Sequence, residues 1–174
     1  LDSVEAYDPQ LGAWAPVASM SFKRRSHASV VLGGKIYAMG GSEDGIINDT
    51  VEVYDPQADS WQRVASMPQG RRDHAAAAMG GKIYVTGGTI QGVGLASSVC
   101  VYDPQADTWT QLASMSNTRR NHASTAVGGK LYVFGGLGAG GSLNTTEVYD
   151  PASDSWVQGP SLASARFNTA AVAL

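Results

Sequence analysis

The sequence predicts an all-β protein built from one four-stranded unit that repeats along the chain. Three observations predict it: aromatic and glycine markers recur at a fixed spacing, alternating strand patterns lie between them, and turn residues separate the strands. The chain has 174 residues, of which 43% are hydrophobic and 16% charged, so it can bury a substantial core. Its 21 glycines exceed the usual share and suit a fold with many tight turns.

Markers of four kinds recur every 47 or 48 residues. They are Trp14, Trp61, Trp109 and Trp156; Tyr7, Tyr54, Tyr102 and Tyr149, each followed by Asp-Pro; the doublets Gly40-Gly41, Gly87-Gly88 and Gly135-Gly136; and His27, His74 and His122. Because independent markers keep one register, the period reflects a repeated structural unit.

Each period predicts four short strands, named a to d here. Strand a holds small residues such as 75–79, and strand b alternates as in 82–86, with Gly-Gly on both sides. Strand c is exemplified by 51–54, and Asp55-Pro56 then favours a type I turn before strand d at 61–64. The sequence therefore predicts an antiparallel sheet in each repeat.

Side-chain size differs between the strands of a repeat. Strand a is almost entirely small, whereas the tyrosine and tryptophan markers lie in strand c and at the start of strand d. This gradient predicts a wedge-shaped sheet with strand a at its narrow edge. Wedges arranged around an axis form a β-propeller, in which sheet faces are buried between blades.

The repeat is similar to that of the kelch-repeat β-propellers. The resemblance rests on Gly40-Gly41, on Val51 to Pro56, on Trp61 seven residues after the tyrosine, and on Met67 to Arg71. It covers essentially the whole chain. It implies a kelch-type propeller with four-stranded antiparallel blades, but leaves function open because one fold hosts many activities.

The repeat divides the chain into blades within a single propeller region, residues 1–174. Roughly 3.7 repeats of about 47 residues are expected. The predicted parts are strands c and d of a first blade in 1–20, full repeats in 21–67, 68–115 and 116–162, and strand a of a further blade in 163–174.

Fewer than four complete blades leave the propeller incomplete, since propellers have about four to eight. The chain is then a piece of a larger propeller, assembles with another copy, or closes as a four-bladed ring in which the C-terminal strand a joins the N-terminal strands c and d. An uncovered blade face is a large apolar patch. We therefore expect self-association that completes the propeller.

Basic residues concentrate on one predicted side of the disc. With antiparallel strands, the d–a and b–c loops emerge together, and we call that side the loop face and the opposite side the turn face. The d–a loops hold eight of the twelve basic residues: Lys23, Arg24, Arg25, Arg71, Arg72, Arg119, Arg120 and Arg166. The loop face has four acidic residues, whereas the turn face has seven aspartates against three lysines. This division predicts that the loop face attracts an acidic partner.

The family resemblance suggests where such a partner binds. In kelch adaptors of cullin-type ubiquitin ligases, arginines of the Met-x-x-x-Arg segment line a pocket for acidic motifs. The matching positions here are Arg24, Arg71, Arg119 and Arg166, the last preceded by Leu162 instead of Met. The adjacent Arg25, Arg72 and Arg120 are further candidates. The alternative is that the first series braces the blades by binding loop carbonyls.

The b–c loops are the part of the repeat that varies most. They are acidic with an apolar centre at 42–49, neutral at 89–96 and glycine-rich at 137–144. Variation on a repeated scaffold is typical of a binding surface, although drift in exposed loops gives the same pattern. The polar candidates for partner contacts are Asp44, Asn48, Gln91 and Asn144.

Catalytic and metal-binding patterns are weak. Three histidines at one repeat position favour packing over a metal site, and Glu5, Glu52 and Glu147 repeat in strand c, where Cys100 substitutes once as a buried thiol. We expect no catalytic residue, metal or cofactor. The leading hypothesis is a non-catalytic module that binds a protein or an acidic peptide. The alternatives are part of a kelch enzyme acting on a sugar, of mutarotase or oxidase type, and a purely structural assembly unit.

Charge and hydropathy narrow the expected partners. The net charge of −3 argues against general nucleic-acid binding, and no apolar run approaches the length of a membrane span. No signal peptide is visible, and the chain begins at Leu1 rather than Met, so either end can have been trimmed. A cytoplasmic location is the expectation; the sequons at Asn48 and Asn144 would matter only in a secreted protein.

Overall fold

The computed structural model describes residues 1–173. In these residues the regular secondary structure consists of β-strands, joined by turns and loops. Blade 1 consists of β1 (Val4–Asp8) and β2 (Ala13–Val17). Blade 2 consists of β3 (Ala28–Leu32), β4 (Lys35–Met39), the short β5 (Ser42–Glu43) and β6 (Ile46–Ile47), β7 (Val51–Asp55) and β8 (Ser60–Val64). No described segment forms a helix of the length and hydropathy that crossing a membrane requires.

Blades 3 and 4 repeat this order. Blade 3 consists of the short β9 (Arg71–Arg72), β10 (Ala75–Met79), β11 (Lys82–Thr86), the short β12 (Thr89–Ile90) and β13 (Gly94–Leu95), β14 (Val99–Asp103) and β15 (Thr108–Leu112). Blade 4 consists of β16 (Ala123–Val127), β17 (Lys130–Phe134), the short β18 (Leu137–Gly138) and β19 (Gly141–Ser142), β20 (Thr146–Asp150) and β21 (Ser155–Gly159).

Each complete blade is a four-stranded antiparallel sheet with the strands in chain order. The orders are β3-β4-β7-β8, β10-β11-β14-β15 and β16-β17-β20-β21, so these strands are the predicted a to d. The tyrosine of strand c lies opposite the tryptophan of strand d, as in the pair Tyr54 and Trp61. The all-β, four-stranded blade prediction is confirmed.

The hydrophobic core lies between neighbouring blades. One buried cluster joins blades 2 and 3 and includes Met39, Val51, Ile83, Val85 and Tyr102. A second joins blades 3 and 4 and includes Tyr84, Val99, Leu131, Val133 and Tyr149. Burial of sheet faces against each other is the packing that a propeller requires.

The aromatic markers also form a polar clasp between blades. The Trp61 indole N–H donates to the Ala18 carbonyl at 2.8 Å, and the Ala18 N–H donates to Asp59 Oδ1 at 2.8 Å. The Tyr54 hydroxyl donates to the same carboxylate at 2.8 Å. Ala65 and Ala113 are held in the same way by the tryptophan and aspartate of blades 3 and 4.

The diglycine lets two d–a loops approach the end of strand b. Gly40 and Gly41 have φ values of 60° and 92°, which favour glycine. The Gly41 N–H donates to the Arg71 carbonyl of the next blade at 2.9 Å. A Cβ on Gly41 would lie 2.7 Å from the Arg25 carbonyl of its own blade. Any other residue would therefore displace a d–a loop.

The chain ends do not close the ring. Within residues 1–173, the sheet of blade 1 contains β1 and β2 only, so the four-bladed closure is not formed. The strand expected from Phe167 is absent up to residue 173, and Leu174 lies outside the described residues. This segment is held by isolated bonds, such as Asn168 N–H to the Asn121 carbonyl at 2.8 Å, because no described strand pairs along it.

Candidate functional site

The loop face is built by pairing each d–a loop with the b–c loop of the same blade. Arg25 exchanges backbone hydrogen bonds with Ser42 at 3.1 and 2.9 Å. In blade 3, β9 pairs with β12, which in turn pairs with β13. Arg120 pairs with Leu137. These pairings fix the backbone of Arg25, Arg72 and Arg120, which we call the second arginines, beside the variable b–c loops. Arg24, Arg71 and Arg119 are the first arginines.

The first arginines point inward. Arg24, Arg71 and Arg119 are only 4%, 1% and 0% exposed. Their Nη1 atoms donate to the carbonyl of the first glycine in each doublet, at 2.8, 2.9 and 2.6 Å, and the acceptors are Gly40, Gly87 and Gly135. The arginine and diglycine motifs are thus two halves of one contact.

In blades 2 and 4 a buried glutamate of strand c completes this contact. Glu52 lies 2.6 Å from Arg24, and Glu147 lies 2.7 Å from Arg119. The Ser116 N–H of the d–a loop also donates to Glu147, at 2.6 Å. Burial disfavours the charged form of Glu147, but the hydrogen bonds from Ser116 and Arg119 outweigh burial and lower its pKa.

Blade 3 lacks the carboxylate. Cys100 takes the glutamate position, and among the described residues Arg71 forms no ion pair. Pro68 stands where blade 4 has Ser116, so the N–H that would bind a carboxylate is missing as well. Burial lowers the pKa of Arg71 and raises the pKa of the Cys100 thiol to about 11, which agrees with an unreactive buried thiol.

This geometry favours the bracing alternative for Arg24, Arg71 and Arg119. The expectation that they line a ligand pocket needs correction, because their guanidinium groups are buried and already bound to loop carbonyls. Arg166, the fourth member, differs. It is exposed, and its Nε lies 3.4 Å from the Ser164 carbonyl of its own loop.

The second arginines are more exposed than the first. Arg25 is exposed, whereas Arg72 and Arg120 are half-buried. Within residues 1–173, neither Arg25 nor Arg120 forms an ion pair, and Arg72 lies 3.7 Å from Asp73. The Nε atoms of Arg72 and Arg120 are buried without a hydrogen-bond partner in the described part of the chain.

The polar loop candidates separate into scaffold and surface groups. Asp44 is exposed at a tight turn with φ 48°, and Asn144 is exposed. Asn48 is half-buried, and its Oδ1 accepts a hydrogen bond from the Thr50 hydroxyl at 3.1 Å. Gln91 is exposed and accepts from the Ile47 N–H of the neighbouring blade at 3.4 Å.

Comparison with known proteins agrees with this repeat geometry. A family profile described as the KLHDC2/KLHL20/DRC7 Kelch-repeats domain matches residues 26–173. The chain belongs to the kelch-repeat family. It is similar to Kelch-like protein 5 of Homo sapiens, at 50% identity over 40 residues, which is 23% of this chain and 5% of that protein.

A solved structure shows the same fold. The structure of YjhT matches with a TM-score of 0.75 and 18% identity, over 87% of this chain and 56% of that one. The chain thus spans about half of the YjhT chain and a small part of the curated relative. A kelch-repeat region is consistent with a protein-interaction propeller.

The kelch scaffold neutralises much of the charge counted in the sequence. On the turn face, Lys35, Lys82 and Lys130 pair with strand-c aspartates at 2.9, 2.9 and 3.2 Å. On the loop face, Arg24 and Arg119 are neutralised by buried glutamates. The sequence count therefore overestimates the basic excess that a partner meets.

Two of the kelch histidines, His74 and His122, are buried. The His122 Nε2 lies 2.8 Å from the Thr86 hydroxyl of the preceding blade, whereas neither ring nitrogen of His74 has a partner among the described residues. Burial lowers the pKa of His122 to about 3 and lowers the pKa of His74 strongly. In residues 1–173, no three metal-ligating side chains lie close enough together to hold an ion.

Sequence reasoning missed a backbone chain that links the d–a loops. Asp73 donates to the Ser26 carbonyl, Asn121 to Asp73 and Asn168 to Asn121, at 2.9, 2.8 and 2.8 Å. All four residues have φ between 51° and 56°. All four lie two residues after the first arginine of their d–a loop, and three of them are Asn or Asp, which tolerate this region, so the sequence could have indicated the feature.

Proposed function

We propose that this kelch region is a non-catalytic protein-interaction module whose loop face binds an acidic segment of a protein. The carrying observation is that Arg25, Arg72 and Arg120 are exposed or half-buried, with their backbones fixed beside the b–c hairpins. Arg166 adds an exposed guanidinium on the next d–a loop. The buried first arginines hold the loops that present this surface.

Guanidinium chemistry supports this choice of partner. A planar guanidinium group can bind a carboxylate through two parallel hydrogen bonds, which gives orientation as well as attraction. Because the second arginines are partly exposed, binding should weaken as salt rises. A module of this kind would suit the substrate-recruiting part of a ubiquitin-ligase adaptor, as the family resemblance implies.

Peptide selection tests the proposal. A random dodecapeptide library selected on the protein should be enriched in Asp and Glu. Arg72→Ala and Arg120→Ala should each weaken the selected peptides by roughly ten- to a hundredfold, because each loses a charge-assisted hydrogen bond. Lys82→Ala on the turn face removes the same charge and should leave affinity unchanged. Selection without acidic enrichment, or full affinity in both arginine variants, would contradict the proposal.

A second candidate function is self-association through the ends of the arc. Trp14 and Tyr7 of blade 1 are 67% and 51% exposed, whereas Tyr54 at the matching position of blade 2 is 7% exposed. Within residues 1–173, no preceding blade supplies the alanine that holds the other tryptophans. We infer that a second copy of the chain covers the exposed side of blade 1 around Trp14 and Tyr7.

Light scattering tests the association. The expected mass is above the 18.1 kDa of one chain, and Trp14→Ser should reduce it because the substitution removes an exposed apolar contact. Leu11→Ser, which alters a 78% exposed side chain in the c–d turn of the same blade, serves as the control. A monomer at high concentration would overturn the inference.

A further inference from the structure

A cleft on the loop face lies between the b–c hairpins of blades 2 and 3. Its volume is about 360 Å³, within the range of small ligand sites. Ile46, Ile47 and Asp49 line it from blade 2, and Ile90 and Val93 line it from blade 3. The lining includes none of Arg25, Arg72 and Arg120.

The walls of the cleft are apolar and exposed. Ile46 is 71% exposed and Val93 is 67% exposed, both close to hairpin turns. Blade 4 has Ala139 and Gly140 in the turn of its hairpin, so the repeat does not need bulky apolar groups there. Two large aliphatic side chains facing one concave space are a feature typical of a contact site.

The cleft is preformed by contacts between the two blades. The Gln91 side-chain oxygen accepts a hydrogen bond from the Ile47 N–H at 3.4 Å and connects the hairpins. Beneath them, Gly70 lets the d–a loop pass close to blade 2, since a Cβ there would lie 2.9 Å from the Asn48 carbonyl carbon. A partner would therefore lose little binding free energy in ordering the cleft.

Charge sets the chemistry of the occupant. Asp49 is the one charged residue that lines the cleft among the described residues. It is exposed and forms no ion pair within residues 1–173, although its main-chain carbonyl accepts from Met67. A cationic group beside an aliphatic side chain would match this combination of apolar walls and one carboxylate.

We propose that the cleft anchors an aliphatic side chain of a protein segment whose adjacent Lys or Arg pairs with Asp49. The proposal rests on the proposed function only in that the loop face binds a protein segment. The cleft consists of different residues, and its charged group is the carboxylate of Asp49 rather than an arginine. The partner would thus place an aliphatic and a basic residue in the cleft between the b–c hairpins of blades 2 and 3, and its acidic residues beside Arg72 and Arg120.

The experiment compares variants on the selected dodecapeptides by calorimetry. The double variant Ile46→Ser/Val93→Ser should weaken binding at least tenfold, because each apolar wall loses buried area. Asp49→Asn should weaken it about threefold to tenfold and flatten its salt dependence. The matched control is Val157→Ser, since Val157 is 62% exposed on a different blade. Each variant should keep the melting temperature of the wild type, because the altered side chains are exposed.

The outcomes separate the two sites. Loss of affinity in the cleft variants with full affinity in Arg72→Ala and Arg120→Ala would support the cleft and refute the acidic-segment proposal. Loss in the arginine variants alone would overturn the cleft. Selected peptides without an aliphatic residue next to Lys or Arg would also overturn it. A fall in self-association in the double variant, with peptide affinity unchanged, would assign the cleft to a second copy and overturn it.

Discussion

Blades 3 and 4 share one backbone plan but differ at the buried strand-c position that faces the first arginine. Blade 4 places Glu147 between Val133 and Gln158 of the adjacent strands. Blade 3 places Cys100 between Val85 and Gln111, so the side chains on either side are the same. The repeat thus exists in two versions, one with an ion pair around its arginine and one without.

The difference teaches what the arginine requires. Arg71 keeps the position of Arg119 without a carboxylate, because the diglycine carbonyl and the start of strand c hold both guanidinium groups. The carboxylate and one N–H group that binds it are lost together. Blade 3 has Cys100 where blade 4 has Glu147, and Pro68 where blade 4 has Ser116. The blade therefore forms without the ion pair, which adds stability where it is present.

The largest expected effect comes from removing the arginine of each version. Arg119→Met would leave Glu147 buried without its cation, which should lower the free energy of unfolding by about 3–5 kcal/mol. Arg71→Met leaves no unpaired carboxylate, only carbonyl groups, and should cost about 1–3 kcal/mol. Chemical denaturation of both variants measures the difference, and equal losses would contradict the role given to the ion pair.

Acid should remove the stabilisation that ionised Glu147 gives to blade 4. Because the folded pKa of Glu147 lies below its usual value, the carboxylate stabilises the fold fully above its unfolded pKa of about 4.3. That stabilisation is lost as the pH falls through the lower folded pKa. Glu147→Gln should therefore cost about 1.5–3 kcal/mol at pH 7, and the cost should shrink toward pH 3.

Denaturant titrations of the wild type and of Glu147→Gln at pH 7, 5 and 3 test this dependence. Cys100→Ser is the control, since it alters the matching position without a carboxyl group, and its effect should not vary over this acid range. A gap between the wild type and Glu147→Gln that stays constant with pH would refute the assignment of charge to Glu147.

The smallest effect is expected from rebuilding the ion pair in blade 3. Cys100→Glu should place a carboxylate beside Arg71 among neighbours that already accommodate Glu147, with a gain of about 1 kcal/mol after the cost of burial. Adding Pro68→Ser restores the missing N–H and should add about 0.5–1 kcal/mol beyond the sum of the single changes. Additive changes in a double-mutant cycle would show that the two positions do not cooperate.

The fold could be predicted because its determinants recur in the sequence. Trp61, Tyr54 and Asp59 each make a contact that every blade repeats, so the period alone exposes them. The diglycine was equally visible. The strand expected from Phe167 is not formed in the described residues. A strand also needs a neighbouring strand to pair with, and amino-acid composition does not show whether one is present.

The site was harder to predict because burial depends on which side of a loop a residue faces. Arg119 and Arg120 are adjacent and chemically identical, yet one is fully buried and the other only half-buried. The sequence records their charge but not that the carbonyl of Gly135 is aimed at the first of them. The sequence also did not indicate the cleft beside Asp49, because loops of two successive repeats form it together.

The clasp of Trp61, Ala18 and Asp59 has a thermodynamic consequence. Every such clasp joins a blade to the one before it and to no other, so the chain behaves as a one-dimensional array with nearest-neighbour coupling. An internal blade has two couplings, whereas a terminal blade of the described arc has one. Amide hydrogen exchange should therefore be slowest in blades 2 and 3, which have two clasps each, and faster in blades 1 and 4, which have one.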